Sequence, residues 1–286
     1  MRRPLQPEAI ARAFHDACLA ELDALKPGNV HRFGAGHSMN VADFESSAAA
    51  AAPMLAQAGI GVGTRILLAV EATMTAARQN TNLGIILLSA PLAAAALDGN
   101  KGELQSRLCR VLASLSVEDA REAYRAIRHA RPGGLGRAPR HDVAFDPDIT
   151  LLEAMGVAEA EDRIAWNYTH GFADIFTLGL PSLEHGLKRW NERPWAVTGV
   201  YLGFLAAHPD TLIQRKFGGA TADRVQAEAR AMQRHFLESA APGRLAPELM
   251  DFDRALKAGG LNPGTSADLT VATVFAHALQ VMEKGH

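Results

Sequence analysis

The segment from Leu83 to Leu97 is apolar on every face that a helix would present. Such a helix is stable only where other protein elements surround it, because no face is suited to water. The segment is shorter than the run of about 20 apolar residues that crosses a bilayer, and it contains Ser89 and Pro91. We therefore predict a central buried helix with other helices packed around it.

The rest of the chain repeats apolar residues at helical spacing, as in Ile10, Phe14 and Cys18. Hydrophobic residues make up 48% of the chain and aromatic residues only 6%. A core of Ala, Leu and Val favours helices over a β-sandwich, and no alternating strand pattern is present. We predict an all-α fold in a single domain over residues 1–286. It should have about a dozen helices around the Ala/Leu-rich central one. Residues 158–177 and 266–283 are among the predicted helices.

Charge and cysteine usage exclude several classes of protein. Lys and Arg total 29 against 31 for Asp and Glu, so the basic excess of a nucleic-acid binder is absent. Cys18 and Cys109 lie in helical patterns, which indicates core residues in a reducing compartment rather than a structural zinc site. The N-terminus has no apolar signal-peptide region. We expect a cytoplasmic protein without nucleic-acid or membrane partners.

Polar residues gather in four breaks between the predicted helices, where a rigid scaffold presents binding groups. The first break begins with Lys26-Pro27-Gly28-Asn29-Val30-His31-Arg32 and continues to Asp43. Its amides, cations and following helix N-terminus suit a phosphate group. An ordinary helix connection with solvated charges is the alternative.

The second break is Asn80-Thr81-Asn82-Leu83-Gly84, preceded by Glu71 in an otherwise apolar helix. The three polar residues suit a helix cap or a ligand. Glu71 would bind a metal or act as a base if it faced a pocket, and it would be inert if it faced solvent.

The third break is His208-Pro209-Asp210-Thr211, with Arg215 and Lys216 one helical turn later. This pair of cations could meet phosphate oxygens, or it could end a capped surface helix. The fourth break, Leu261–Leu269, includes Asp268 in the first turn of the last helix. That carboxylate could serve Mg²⁺ or simply complement the helix dipole. No P-loop or other signature motif is present. The residues alone therefore indicate an α-helical protein that binds a phosphorylated ligand.

Taken in order, these breaks resemble the triphosphoribosyl-dephospho-CoA synthase family. The stretches that carry the resemblance are KPGNVHR at 26–32, GHSMNVADF at 36–44, NTNLG at 80–84, DTLIQRKFG at 210–218 and LNPGTSADL at 261–269. The resemblance implies an all-α transferase that uses ATP as substrate, with Mg²⁺ expected. It would move the 5-triphosphoribosyl group of ATP to the 2′-OH of 3′-dephospho-CoA and release adenine. The product would be a prosthetic-group precursor.

Side-chain chemistry at these positions gives the candidate site. We assign catalytic roles, as hypotheses, to Asp43, Glu71, Asp268 and His31, and the three carboxylates among them are also the candidate Mg²⁺ ligands. Nucleotide or phosphate binding is assigned to Lys26, Asn29, Arg32, His37, Ser38, Asn80, Thr81, Asn82, Asp210, Arg215, Lys216, Asn262, Gly264 and Ser266.

One departure from the family pattern concerns the acceptor. Members serving citrate lyase tend to have Asn-Thr-His-Lys-Gly where this chain has NTNLG at 80–84. This stretch and HARPGGLG at 129–136 resemble a divergent branch from methanogens and one-carbon-oxidising bacteria. The alternatives are therefore transfer to an acceptor in methanopterin- or methanofuran-type cofactor synthesis, hydrolysis, or nucleotide binding without catalysis. The expected partners are small-molecule substrates, with a homodimer left open.

Overall fold

The computed structural model describes residues 5–34, 41–136, 138 and 140–285. These residues form helices joined by turns and loops, with one isolated bridge between His31 and Gly34, so the predicted all-α fold is confirmed. The α-helices are α1 (Pro7–Leu22), α2 (Val41–Ala56), α3 (Val62–Ala77), α4 (Leu83–Leu97), α5 (Leu104–Ala113), α6 (Val117–Ala130), α7 (Leu151–Ala158), α8 (Arg163–Thr169), α9 (Leu180–Trp190), α10 (Arg193–Ala207), α11 (Thr211–Phe217), α12 (Gly219–Glu238), α13 (Ala246–Ala258) and α14 (Gly264–Lys284).

Helix α4 is the predicted central helix and has the predicted bounds, Leu83–Leu97. Nearly all its residues are buried, and it packs against α2, α3, α5 and α14. Alanines at these contacts, such as Ala48 on α2 and Ala90 on α4, let the helix axes approach closely. Within the described ranges, no helix combines the length and apolarity needed to cross a membrane.

The core has two clusters of buried side chains. The larger one surrounds α4 and α14, and it includes the edge-to-face pair Phe14 and Phe275. The smaller one lies among α10, α12 and α13 and includes Tyr201 and Phe236. Helices α10 and α14 contact each other and connect the two clusters. This arrangement brings the N-terminus of α14 between the two clusters, where it meets several of the polar breaks.

The prediction of one helix over 158–177 was wrong. Helix α7 ends at Ala158, and α8 begins after Asp162, whose Oδ1 accepts hydrogen bonds from the backbone N–H groups of Ile164 and Ala165. Gly171 and Phe172 then adopt left-handed φ angles of 58° and 57°. A π-helical segment, Asp174–Gly179, follows. The N-cap carboxylate and the left-handed pair therefore interrupt an apolar pattern that is otherwise continuous.

Gly63 on α3 makes a close contact with the backbone of α6 that substitution can test. Its N–H donates to Asp119 Oδ1 at 2.8 Å, and a Cβ would lie 2.5 Å from Asp119 Cα. We expect Gly63→Ala to lower the free energy of unfolding in urea by about 1–3 kcal/mol, because α3 and α6 must separate. Gly219→Ala in α12 is the control, since a Cβ there enters open space. Equal stability of the two variants would contradict this packing.

Candidate active site

Asp210 holds two helix N-termini together. Its Oδ1 accepts hydrogen bonds from the N–H groups of Leu212 (3.0 Å) and Ile213 (3.3 Å) at the start of α11. Its Oδ2 accepts from Ser266 N and Ser266 Oγ, both at 2.8 Å, at the start of α14. Burial raises the pKa of Asp210, and these hydrogen bonds act in the opposite direction. One buried carboxylate thus caps α11 and α14 and joins the third break to the fourth.

Two further helices begin at the same place. Thr211 Oγ1 accepts a hydrogen bond from Arg163 N at the start of α8 (3.3 Å) and pairs with Thr265 Oγ1 (3.0 Å). At the start of α4, a Cβ on Gly84 would collide with the Asp268 carboxylate. The N-termini of α4, α8, α11 and α14 therefore converge. Each carries a partial positive charge, and carboxylates already cap three of them, Asp210 at α11 and α14 and Asp162 at α8.

Asp268 lies at this convergence and is half-buried. Burial raises its pKa well above the usual value. Repulsion from the carboxylates of Asp210, Glu21 and Asp162 adds to this effect, and Arg215 opposes it. No hydrogen bond from another described residue reaches the Asp268 carboxylate. A carboxylate in this condition is available to accept a proton or to bind a cation.

Lys26 is fully buried and organises the first break. Its ammonium donates to the Glu21 carboxylate, to Asn29 Oδ1 (3.1 Å) and to Val30 O (2.7 Å). Burial lowers the pKa of Lys26 and raises that of Glu21, while their mutual attraction acts in the opposite direction for both. All three ammonium donors are used by the protein. The predicted contact between Lys26 and the triphosphate therefore has no free donor to support it.

The first break packs on the fourth. Asn29 Nδ2 donates to Asn262 Oδ1 at 2.8 Å, so the amide that was predicted to bind nucleotide joins two loops instead. Gly28 has a left-handed φ of 82°, and a Cβ there would lie 2.8 Å from both Leu256 and Pro263. Only glycine meets both conditions. The loop with the sequence KPGNV therefore packs closely against the turn before α14, which leaves no space for a side chain at Gly28.

His31 forms a buried pair with Asp253, with 3.3 Å between Nε2 and Oδ1. Burial lowers the pKa of His31. Burial alone would raise the pKa of Asp253, but contacts with His31, Lys257 and Gly28 N–H hold it below its usual value. The histidine predicted to be catalytic is therefore enclosed within the protein. The neighbouring Arg32 lies at the surface in ion pairs with carboxylates.

The second break meets the start of α2. Thr81 Oγ1 donates to Ser47 Oγ at 2.6 Å, and Gln79 Nε2 donates to Asp43 Oδ2 at 3.0 Å. Asn80 Oδ1 accepts from Leu83 N at 3.2 Å and caps α4. The predicted roles of Asn80 and Thr81 in nucleotide binding thus compete with contacts inside the protein.

The predicted magnesium ligands do not gather. Glu71 is exposed on α3, and no side-chain hydrogen bond of its carboxylate is found among the described residues. In the described part of the chain, no three His, Cys, Asp or Glu side chains are arranged to hold a metal ion. Glu71 faces solvent because its position on α3 lies opposite the buried face of that helix.

Two residues predicted to bind nucleotide or phosphate, His37 and Ser38, lie outside the residues that the structure describes.

The two predicted cations of α11 lie beside the convergence. Arg215 Nη1 donates to Asp162 Oδ2 at 2.5 Å, and its buried Nε has no partner. Lys216 is exposed, and a Cβ on Gly133 would lie 3.1 Å from its Cε. The loop at residues 129–136 therefore lies along the aliphatic part of the Lys216 side chain.

Gly264, which was predicted to bind nucleotide, is needed for packing, because a Cβ there would lie 2.5 Å from Leu212 Cδ2.

Several residues of this region escaped the sequence analysis. Glu21 and Asp253 are buried partners of predicted residues, and Asp162 pairs with Arg215. Arg163 binds Asp174 through Nε (2.7 Å) and Nη2 (2.8 Å). Glu21 had one available signal, since it follows Cys18 by three residues on the apolar face of α1.

Comparison with known proteins agrees with this architecture. Residues 7–285 match the family model described as ATP:dephospho-CoA triphosphoribosyl transferase. Because this match covers nearly all of the chain, the protein belongs to that family of transferases.

Two relatives illustrate the similarity. The 2-(5″-triphosphoribosyl)-3′-dephosphocoenzyme-A synthase of Klebsiella pneumoniae is 28% identical over 302 residues, which cover 96% of this chain and 92% of that protein. A crystal structure from Archaeoglobus fulgidus, of a protein provisionally named triphosphoribosyl-dephospho-CoA synthase, matches with a TM-score of 0.63 and 25% identity. The match covers 82% of this chain and 97% of that one.

The double cap at Asp210 generates a stability prediction. Asp210→Ala removes the side-chain acceptor from two helices and leaves buried N–H groups unpaired, so the free energy of unfolding should fall by about 2–4 kcal/mol. Thr150→Ala is the control, because Thr150 caps only α7 and should cost about 1 kcal/mol. Urea denaturation measures both. A loss at Asp210 no larger than that at Thr150 would contradict the joint cap.

Proposed function

We propose that this protein transfers the 5-triphosphoribosyl group of ATP to the 2′-OH of 3′-dephospho-CoA and releases adenine. The family membership supports this reaction. The observation that carries it is the Asp268 carboxylate, which has a raised pKa and lies where four helix N-termini converge. This reaction requires a base beside the bound nucleotide.

The reaction exchanges one bond for another at the anomeric carbon. The bond from C1′ of ATP to adenine N9 breaks, and a bond from C1′ to the acceptor 2′-oxygen forms. The bonding electrons leave with adenine, which takes up a proton, while the acceptor hydroxyl gives up its proton to a base. The transition state resembles an oxocarbenium ion, as in glycoside hydrolysis.

Asp268 is the proposed base. Its raised pKa makes it a stronger proton acceptor than an ordinary carboxylate, which favours removal of the hydroxyl proton. Its neighbouring carboxylates, Asp210 and Glu21, are held by hydrogen bonds from the protein. Asp268 is therefore the better candidate of the three to exchange a proton with substrate.

The triphosphate is proposed to bind beside the converging helix N-termini, next to Arg215 and Lys216, as its Mg²⁺ complex, because the carboxylates that cap these helices would repel a free anion. Mg²⁺ would enter as the MgATP complex, because phosphate oxygens and water commonly supply most ligands of this ion. Asp43 is the proposed carboxylate on the protein side, and Asp268 is left free for proton transfer.

A cytoplasmic location is proposed because ATP is the substrate and the two cysteines are not paired with each other. Cys18 is buried as predicted, but the prediction that Cys109 is a core residue was wrong, because its side chain lies on the exposed face of α5. The homodimer stays a prediction from the sequence.

Adenine release tests the reaction. With ATP, Mg²⁺ and 3′-dephospho-CoA, chromatography with mass detection should find adenine and the triphosphoribosyl product in equal amounts. EDTA should stop the reaction, and Mg²⁺ should restore it. Adenine without acceptor would identify a hydrolase, and no adenine under either condition would overturn the proposal.

Asp268→Asn tests the base. We expect kcat to fall by at least about 10²-fold while ATP still binds. Because the folded protein raises the pKa of Asp268, the wild-type kcat/KM should fall on acidification at a pH above the ordinary Asp pKa of about 3.9, and the variant should lack this limb. The raised pKa also means that folding is less favourable once this carboxylate ionises, so the variant should not unfold more easily at neutral pH.

Asp223→Asn is the matched control for this measurement, because Asp223 is exposed on α12. It should keep wild-type kinetics. Wild-type turnover in folded Asp268→Asn protein would remove Asp268 from the mechanism.

A further inference from the structure

A small cavity lies between α1 and the start of α4. Its volume is about 10 Å³, which is close to what one water molecule or one hydroxyl group requires. Leu22, Phe44 and Ile85 give it apolar walls, while Glu21 and Asn82 supply polar groups. The cavity is therefore shaped for a single small polar group.

Asn82 is the unexplained residue of this cavity. Asn82 is only 4% exposed, and neither its Nδ2 nor its Oδ1 has a hydrogen-bond partner among the residues that the structure describes. It does not cap α4 through its side chain, because Asn80 accepts the Leu83 N–H instead. A buried amide without partners is unfavourable for the folded protein. Its position beside a cavity indicates a ligand that completes its hydrogen bonds.

Glu21 complements Asn82 across this cavity. Glu21 Oε1 accepts the hydrogen bond from Lys26, and no described contact occupies Oε2. A hydroxyl group both donates and accepts, so it could donate to Glu21 and accept from Asn82 Nδ2. A phosphate would be repelled by the carboxylate and is too large for the space. The chemistry therefore selects a neutral hydroxyl.

We propose that Asn82 and Glu21 form a site for a ribose hydroxyl of the nucleotide substrate. This inference rests on the proposed function, in which both ATP and 3′-dephospho-CoA bring a ribose. Gly84, two residues after Asn82, contacts the Asp268 carboxylate. The hydroxyl site thus lies close to the proposed base, where a reacting ribose must be oriented.

Deoxy substrates combined with Asn82→Ala test the site. The donor is ATP, 2′-deoxy-ATP or 3′-deoxy-ATP, and the acceptor is 3′-dephospho-CoA or its 3′-deoxy form. In the wild-type protein, kcat/KM should fall at least about tenfold for the analogue that lacks the bound hydroxyl. Asn82→Ala should lose a similar factor with the parent substrates and should no longer distinguish that analogue. If this result is found with the ATP analogues, the site binds the ribose of ATP, and if it is found with the acceptor analogue, the site binds the ribose of 3′-dephospho-CoA.

Ser89→Ala is the matched control. Ser89 also lies on α4, is fully buried and has an unpartnered hydroxyl, but it does not line this cavity. It should keep the wild-type discrimination. Asn82→Ala should not lower the Tm of the free protein, because it removes an unpaired buried group. Asn82→Ser gives a second variant that keeps a good N-cap residue, and it should lose the same discrimination.

Two results would overturn the hydroxyl site. One is wild-type discrimination in folded Asn82 variants, and the other is equal kcat/KM for all analogues in the wild-type protein. Failure of the proposed function is distinguishable, because the wild-type protein would then release no adenine from ATP. In that case calorimetric binding of ATP, 3′-dephospho-CoA and their deoxy analogues decides the matter, and equal affinities within both series would overturn the inference.

Discussion

The carboxylate of Asp210 is the contact on which the arrangement of the site depends. Each helix N-terminus leaves several N–H groups without partners inside the helix, and burying them unpaired is costly. Asp210 satisfies N–H groups of both α11 and α14 with its two oxygens. Thr211 then extends the contact to the start of α8. The convergence of positive helix ends is thus a consequence of one buried capping residue and its neighbour.

The charges around this convergence are unevenly compensated. Glu21 is paired with Lys26, Asp162 with Arg215, and Asp210 with amide and hydroxyl donors. Asp268 has no such partner among the described residues, and the other carboxylates raise its pKa. A protein selected for stability alone would remove an uncompensated carboxylate. Its presence at this convergence fits the proposed role of Asp268 in proton transfer with a substrate.

The sequence predicted the helices better than it predicted the contacts. The apolar run Leu83–Leu97 fixed α4 because no other environment suits such a helix. The four polar breaks were also recognised, since Gly, Pro and Asn interrupt helical periodicity. The interruption at Asp162 was missed because the apolar spacing continues across it. Local pattern indicates where a helix ends, and an N-cap carboxylate inside an apolar pattern is easily overlooked.

Roles within the breaks depend on partners that are distant in the chain. Lys26 was expected to bind phosphate, but the nearby Glu21 and the Asn29 and Val30 oxygens use its donors. Asn29 meets Asn262, which lies 233 residues away. Composition gives the chemistry of a side chain but not whether its hydrogen bonds are already made. That information exists only in the folded protein.

The folded protein separates polar residues that are satisfied from those that are not. Lys26, Asn29, Asp210 and Ser266 complete their hydrogen bonds with one another or with the backbone, so they fix the relative positions of α1, α11 and α14. Among the described residues Asp268 and Asn82 do not. Asn82 lies at the start of α4, and Asp268 on α14 packs against it. Gly84 allows this closeness, because any side chain there would displace the Asp268 carboxylate. The proposed substrate would complete both groups at the N-terminus of α4, where close packing of the surrounding helices fixes their positions.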